Sequence, residues 1–240
     1  YLMRTRPDAL DLYLMQPGPC PYLPGQTEQK VMTALDELTA PLSPLLTQRG
    51  FRRTQHMFYR QQCPACRACI ASRLKVRDFV PGDSFKKLLK KSRNLTYTIS
   101  QPDAMPELYE LFTRYLGARH SDGEMAKMPY ADFLAMMEDS PTDTRFLTCR
   151  DGEKIVGVML FDEMPDGTSA VYSFFEPSEE KRSLGTWMIL KLIEYTAGTN
   201  RPHLYLGFWV KNSPKMSYKA RFQPLELFIG ENWIDFRAAP

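Results

Sequence analysis

Residues 169–226 read SAVYSFFEPSEEKRSLGTWMILKLIEYTAGTNRPHLYLGFWVKNSPKMSYKARFQPLE, and their pattern is the strongest indication of the fold class. An apolar run over 169–175 predicts a strand that ends at Glu176-Pro177. A basic loop then opens a predicted helix over 184–197, and an aromatic strand over 204–208 leads into a short helix over 213–220. Strands that alternate with helices in this way predict an α/β unit.

The pattern extends on both sides of this stretch. Upstream it predicts a strand over 94–100, two helices after Asp103 and Pro129, and a hairpin of strands 145–149 and 154–162 around Asp151-Gly152. Downstream it predicts two closing strands, 225–229 and 233–236. The order β-α-α-β-β-β-α-β-α-β-β resembles the GNAT acyltransferase fold, so we predict an α+β or α/β domain of that kind over residues 94–240.

Residues 1–93 differ in texture, with four of the five cysteines and many prolines. We predict a smaller, cysteine-containing and basic N-terminal subdomain there. Its expected elements are a helix over 27–38, strands over 55–60 and 70–78, and a helix begun by Ser84 whose lysines face outward.

Composition excludes several classes of protein. Hydrophobic residues make up 43% and charged residues 25% of the 240 residues, which is ordinary for a globular chain. No apolar run is long enough to cross a membrane. Residues 1–16 lack the apolar centre of a secretory signal, so we expect a cytoplasmic protein.

Charge is concentrated in one segment. Residues 60–93 hold ten Lys or Arg against Asp78 and Asp83, a local excess of +8 in a chain of net charge +3. Such a concentration is typical of a surface that binds phosphate backbones, although a solvated helix face has the same composition.

Three thiols lie within seven residues at Cys63, Cys66 and Cys69, and Cys20 is available as a fourth. Four thiolates form a tetrahedral zinc site or hold an iron–sulfur cluster. The alternative is reduced thiols that pack a small subdomain. Disulfides are not expected in the cytosol, and Cys149 is predicted to be a core residue.

The loop before the 184–197 helix bears on the substrate. Acyl-CoA-dependent enzymes of the GNAT fold bind pyrophosphate at a turn of the form Gln/Arg-x-x-Gly-x-Gly/Ala. Here Arg182 and Gly185 match, but the last small residue is replaced by Trp187. We expect the indole to block close approach of a pyrophosphate.

Several strings together resemble the bacterial aspartate/glutamate leucyltransferases, which are aminoacyl-tRNA–protein transferases similar to arginyltransferases. They are CPYLPGQ near Cys20, MFYR followed by CPACRAC, SAVYSFFEP, RSLG, LYLGFW and KMSYK. The Arg119-His120 pair before Asp122-Gly123 is similar to the family as well.

The resemblance implies transfer of leucine from leucyl-tRNA to the α-amine of a protein that begins with Asp or Glu, which marks that protein for degradation. The ester is already activated, so no cofactor is required for the chemistry. Positioning and oxyanion stabilisation should matter more than a strong base. The oligomeric state is left open.

Candidate residues follow from position. Glu176 is a candidate proton relay, with a turn carboxylate as the alternative, and Tyr172 and Ser173 are candidate oxyanion donors of which only one can face the cleft. Residues predicted to bind tRNA or the acidic substrate are cations, loop residues or an aromatic near them: Arg73, Lys75, Arg77, Arg182, Gly185, Lys215, Tyr218 and Lys219. Lys215 and Lys219 are expected on one helix face.

Two other functions remain open from the sequence. One is an acyl-CoA-dependent GNAT N-acyltransferase, against which Trp187 and the basic segment count. The other is a metal-stapled RNA-binding module without catalysis, which leaves the acyl-transfer pattern unexplained.

Overall fold

The computed structural model describes residues 10–119 and 128–239. The strands are β1 Tyr13–Leu14, β2 Gly18–Pro19, β3 Thr27–Glu28, β4 Lys30–Ala34, β5 Arg52–Thr54, β6 Met57–Gln61, β7 Ile70–Lys75, β8 Leu95–Ser100, β9 Thr144–Asp151, β10 Lys154–Met164, β11 Gly167–Phe175, β12 His203–Trp209, β13 Leu225–Ile229 and β14 Asn232–Asp235. The α-helices are α1 Ser43–Gln48, α2 Asp83–Lys91, α3 Pro106–Arg119, α4 Tyr130–Glu138, α5 Leu184–Gly198 and α6 Pro214–Ser217. Short 3₁₀ segments include Val76–Asp78, Pro177–Arg182 and Tyr218–Arg221.

One large mixed sheet organises the molecule. Its eight strands lie in the order β14-β13-β7-β12-β11-β10-β9-β8, and β11 with β12 is its parallel pair. Two smaller sheets are built from the N-terminal strands, in the orders β1-β4-β6-β5 and β2-β3. The predicted order of elements from residue 94 onward is confirmed.

Helices cover both faces of the large sheet. Successive side chains of a strand point to opposite faces, so the buried neighbours Phe146 and Leu147 enter different cores. Trp187 of α5 and Phe85 of α2 lie in the core with Leu147, whereas α3 and α4 pack over Phe146. The fold is therefore a mixed α/β arrangement in layers, as the sequence predicted at that level.

A buried ion pair joins the four-stranded sheet to the large one. Arg53 of β5 donates from Nε and Nη2 to the two carboxylate oxygens of Asp162 on β10, at 2.6 and 2.7 Å. Thr144 donates to the same carboxylate. A bidentate pair restricts the relative orientation of the two side chains and also stabilises their charges. It therefore holds the two sheets in one relative position.

Two predicted elements in residues 1–93 differ from the structure. The helix predicted over 27–38 is wrong: β3 and β4 occupy this segment, and β4 pairs with β1 and β6. The predicted strand 70–78 ends at Lys75. Because β7 lies between β12 and β13 in the large sheet, the N-terminal part supplies one of its strands. The division at residue 93 stays a prediction.

Within the described ranges, no helix combines the length and apolarity needed to span a bilayer.

Candidate active site

A cleft of about 560 Å³ opens at the carboxyl end of β11. One wall is the second half of α3, the floor is β11 with the first turn of α5, and the far wall is α6 with the 3₁₀ segment after it. The lining residues come from these elements: Tyr115, Ala118, Arg119, Ser173, Phe175, Pro177, Glu180, Ser183, Gly185, Thr186, Ile189, Pro214, Lys215 and Tyr218.

The cleft forms because β11 and β12 separate toward their carboxyl ends. In the described part of the chain they pair only through Gly167–Ser169 and His203–Tyr205. A register shift opposite Leu160 and Phe161 leaves Val171 of β11 out of the ladder, which is a β-bulge. Bulges bend a strand and re-aim its side chains, so this one sets the direction of the residues that follow.

An arginine from the N-terminal sheet occupies the gap between these strands. Arg52 donates from Nη2 to the carbonyl of Val171 at 3.0 Å, which gives the bulged carbonyl a partner. Its guanidinium passes over Gly207, where φ is +72° and an added Cβ would lie 1.6 Å from Nη1 of Arg52. Glycine at 207 therefore supplies both a left-handed conformation and the space for Arg52.

The first turn of α5 presents backbone donors to the cleft. Ser183 begins the helix with φ +46°, in the left-handed region, and its side chain makes no capping hydrogen bond. The first N–H groups of an α-helix have no intrahelical acceptor, and here Gly185 and Thr186 of the first turn line the cleft. The N–H of Ser183 donates to the carbonyl of Glu180 at 3.0 Å. Gly185 approaches Phe175 so closely that a Cβ would lie 3.0 Å from its ring. This turn can hold an anion or a developing oxyanion.

Trp187 does not stand in this cleft. Its side chain is 1% exposed, packs in the core, and meets the Tyr97 ring edge-on at a centroid distance of 6.3 Å. One residue after Thr186, it lies on the sheet-facing side of α5. The expectation that the indole sterically blocks a pyrophosphate is therefore wrong, because the indole points away from the loop.

Of the two predicted oxyanion donors on β11, Ser173 lines the cleft. Tyr172 packs against Phe112 and Phe174 on the other face of the sheet, and burial raises its pKa well above the usual value. Alternation along the strand explains the difference. Ser173 stays a candidate donor, whereas Tyr172 supports the α3 core.

Glu176 is held away from the cleft by a cation. Its side chain accepts from Arg114 Nε and Nη2 at 3.2 and 3.1 Å and from Ser178 at 3.1 Å. Burial alone would raise the pKa of Glu176, but these hydrogen bonds outweigh it and the pKa lies below the usual value. A carboxylate held in this way is a poor base, so the geometry favours the turn carboxylate over the proton relay. The carboxylate that lines the cleft is Glu180.

Arg119 lines the cleft and is not among the cations predicted from the sequence. Its guanidinium lies 5.0 Å from the ring centroids of both Tyr115 and Phe175, and Nη1 donates to the Tyr115 hydroxyl at 3.2 Å. Within residues 10–119 and 128–239 no carboxylate pairs with it. The family-like Arg119-His120 pair was the available signal. His120 itself lies outside the described residues.

The far wall separates two lysines that the sequence placed together. Lys215 and Tyr218 line the cleft. Burial raises the pKa of Tyr218, and the positive charge of Arg52, which lowers this pKa, offsets only part of the rise. Lys219 is 4% exposed and donates to the carbonyl of Phe208. Burial lowers its pKa well below the usual value. The helix tightens to 3₁₀ at Tyr218, so the expected shared face is wrong and Lys219 is a buried anchor.

The remaining predicted cations lie elsewhere. Arg182 pairs with Asp151 at 2.7 Å and holds the loop to the β9–β10 hairpin. Arg73 pairs with Glu226 at 2.7 Å and stacks over Trp233. Arg77 donates to Asn200 from a 3₁₀ turn, and Lys75 ends β7. The cleft therefore contains four of the predicted residues, namely Ser173, Gly185, Lys215 and Tyr218.

The four N-terminal thiols line a separate pocket of about 450 Å³. Burial, and then the nearby thiols of Cys20, Cys63 and Cys66, raise the pKa of Cys69 to about 12. Backbone N–H groups of Leu23 and Gln29 point at the sulfurs of Cys20 and Cys63, at 3.4 and 3.5 Å. Across the described ranges, no three His, Cys, Asp or Glu side chains are arranged as metal ligands. Cys149 is buried in the main core, as predicted.

Two family models match separate parts of this chain. Residues 18–87 match the family model of the arginine-tRNA-protein transferase N terminus, and residues 107–229 match that of its C terminus. A solved C-terminal DUF2156 domain from Agrobacterium fabrum is 14% identical and covers 70% of this chain and 52% of its own, with a TM-score of 0.48. That score is too low to show a shared fold.

Curated relatives match over almost the whole chain. A protein of Ruegeria pomeroyi named aspartate/glutamate leucyltransferase is 43% identical over 97% of this chain and 86% of its own length. One of the same name from Parvibaculum lavamentivorans is 46% identical over 92% of each chain. The resemblance read from the sequence is confirmed: this chain belongs to the aspartate/glutamate leucyltransferase family, within the arginine-tRNA-protein transferases.

Proposed function

We propose that this enzyme transfers leucine from leucyl-tRNA to the α-amine of proteins that begin with Asp or Glu, and so creates a signal for proteolysis. The observation that carries the proposal is the convergence on one cleft of the first-turn donors of α5 with Arg119 and Lys215. The names of its close relatives point to the same reaction. We propose that it acts in the cytoplasm, because leucyl-tRNA is a cytoplasmic substrate.

The reaction requires little acid–base catalysis from the protein. The acceptor amine attacks the ester carbonyl carbon of leucyl-tRNA, a C–N bond forms, and the C–O bond to the terminal ribose breaks with release of the ribose hydroxyl. An α-amine of pKa about 7.7–8.0 is partly neutral near pH 7, so a strong base is not needed. Glu180, Ser173 and the first turn of α5 line the cleft. We assign the ammonium proton to Glu180, and stabilisation of the oxyanion to the α5 amides with the Ser173 hydroxyl.

Acceptor specificity needs a cation at the cleft. Arg119 offers a planar fork of donors, stacked on two rings, and its remaining N–H groups are available to a carboxylate. Lys215 stands on the far wall with an exposed ammonium. We assign the acidic side chain of the acceptor to Arg119 and a terminal phosphate of the donor to Lys215.

The leucine side chain needs an apolar surface. Phe175 and Ile189 line the cleft beside the α5 turn, with Ala118 on the opposite wall. These three apolar side chains line the same cleft as the donors assigned to the ester. We propose that the leucyl group lies against them.

We propose a GNAT-like acyltransferase fold with a smaller N-terminal subdomain. A bulged β11 that splays from a parallel β12, with a helix N-terminus at the gap, fits the GNAT-like acyltransferase arrangement. An N-terminal subdomain over 1–93 and an acyl-transfer domain over 94–240 fit the two family segments.

We also propose that Cys20, Cys63, Cys66 and Cys69 hold a structural zinc ion or an iron–sulfur cluster. The support is their convergence on one pocket and the two N–H···S contacts, which stabilise thiolates. Binding of the metal or cluster would bring the four sulfurs together and link Cys20 to the segment just before β7. No step of leucine transfer involves this site.

A direct transfer assay tests the function. The protein is incubated with leucyl-tRNA, or with acetyl-CoA, and with a peptide that begins with Asp. We expect leucine on the peptide and no acetyl transfer. Acetylation instead would support the acyl-CoA alternative, and tRNA binding without either product would indicate a non-catalytic RNA-binding protein.

A further inference from the structure

Helix α2 and the turn after it carry a row of exposed cations, which we call the α2 ridge: Lys86, Lys87, Lys90, Lys91 and Arg93. We propose that the α2 ridge binds the phosphate backbone of the double-stranded acceptor stem, next to the cleft that receives the leucyl end. This inference rests on the proposed function and names the surface that holds its donor.

Helix α2 contacts both rims of the cleft. At one end Lys91 Nζ donates to the carbonyl of Lys181 at 3.2 Å, and Lys181 follows the cleft residue Glu180. At the other end Arg221 lies 3.4 Å from the Ser84 hydroxyl, with its guanidinium 5.0 Å from the Phe85 ring. Arg221 closes the 3₁₀ segment that starts with the cleft residue Tyr218. A strand leaving the cleft therefore has α2 beside it.

The ridge cations differ from other cations of the basic segment, residues 60–93, in having few intramolecular partners. Arg60 lies 3.7 Å from Glu231, Arg67 donates to backbone carbonyls, and Arg73 pairs with Glu226. On the ridge, the ion pair found within the described ranges is Lys86 with Asp83, at 3.9 Å between two largely exposed side chains. Exposed pairs of that length contribute little, so the ridge keeps its charge for a partner.

The chemistry of the ridge favours a phosphate backbone over a protein. Phe85 is buried, and Leu88 and Leu89 are half-buried against the core, so α2 turns its apolar side inward. Protein interfaces need an apolar centre, which this face lacks. Duplex RNA is recognised mainly through phosphates and riboses, for which a row of lysines is sufficient.

The test removes charge from the ridge and varies the donor. The variant Lys86→Gln/Lys87→Gln/Lys90→Gln keeps Lys91, which contacts the rim. Its matched control is Arg49→Gln/Arg60→Gln/Arg237→Gln, three cations that do not line the cleft. Each protein is assayed with leucyl-tRNA and with the leucyl ester of the trinucleotide cytidyl-cytidyl-adenosine, which has no stem.

Each phosphate contact changes the slope of log affinity against log salt by about 0.9 and is worth roughly a factor of five near 0.15 M salt. The ridge variant should lose about 25- to 125-fold in kcat/KM for leucyl-tRNA, and its salt slope should fall by about 2 to 3, as expected for the loss of two or three contacts. Activity with the stemless donor and KM for the acceptor peptide should not change. The control should behave like the wild type with both donors.

Three results overturn the inference. They are wild-type kcat/KM of the ridge variant with leucyl-tRNA, an equal loss with both donors, and an equal loss in the control. Loss of binding to anionic phosphatidylglycerol vesicles, with transfer unchanged, would assign the ridge to a membrane instead. If the wild type transfers leucine from neither donor, the proposed function fails, and direct titration of tRNA against wild type and variant still tests the ridge.

Discussion

Replacing Arg119 with Gln should abolish the preference for acidic acceptors while leaving the donor site intact. The guanidinium is fixed by two rings at 5.0 Å and by the Tyr115 hydroxyl at 3.2 Å, so it meets a carboxylate without much loss of side-chain freedom. A hydrogen bond to a charged group contributes about 1.5–3 kcal/mol. At about 1.4 kcal/mol for each factor of ten, kcat/KM for an Asp peptide should fall about 10- to 150-fold.

The assay compares peptides that begin with Asp and with Asn, at saturating leucyl-tRNA. The wild type should favour Asp, and Arg119→Gln should transfer leucine to both at similar low rates, with KM for leucyl-tRNA unchanged. Arg119→Lys should recover part of the preference, since it keeps the charge and loses the fork. Arg150→Gln is the control, because Arg150 donates to the Glu153 carbonyl outside the cleft. An unchanged Asp-to-Asn ratio in Arg119→Gln would refute the assignment.

Four further predictions follow from the geometry. Glu180→Gln should lower kcat about 10- to 100-fold without loss of thermal stability, with the largest deficit at low pH, where less amine is neutral; a normal pH–rate profile would contradict the role. Glu176→Gln should lower Tm at pH 7. The pKa of Glu176 lies below its ordinary value of 4.5, so its contribution is present above that pH and lost as pH falls through the folded pKa, and thermal melts should converge there. Gly207→Ala should displace Arg52 and cost about 1–3 kcal/mol in urea unfolding, because an alanine at φ +72° is strained as well as crowded; a neutral effect would show that Arg52 does not fill the gap. Cys66→Ser should remove the zinc or iron measured by elemental analysis of purified protein, and wild-type protein without either metal would count against the cysteine site.

The spacing of residues along the chain does not always predict which side chains are exposed or which segments are helical. Lys215 and Lys219 are four apart, which predicts one face, yet a 3₁₀ turn at Tyr218 buries Lys219 beneath β12. The 27–38 segment looked helical because its apolar residues recur at helical spacing, but β4 obtains its hydrogen bonds from β1 and β6. In both cases the deciding partner is distant in sequence.

The order of strands and helices from residue 94 could be predicted from the amino-acid sequence, and several short strings indicated the family. Local periodicity predicts the order of elements, because burial of one face of a helix or strand imposes a regular spacing of apolar residues. Which groups meet at the cleft could not be predicted in this way and depends on the tertiary structure. Arg119 and Glu180 face the cleft, whereas Glu176, Arg182 and Trp187 are drawn away by Arg114, Asp151 and the core. Ion pairs and packing between remote segments set those directions, and neither has a local signature in the chain.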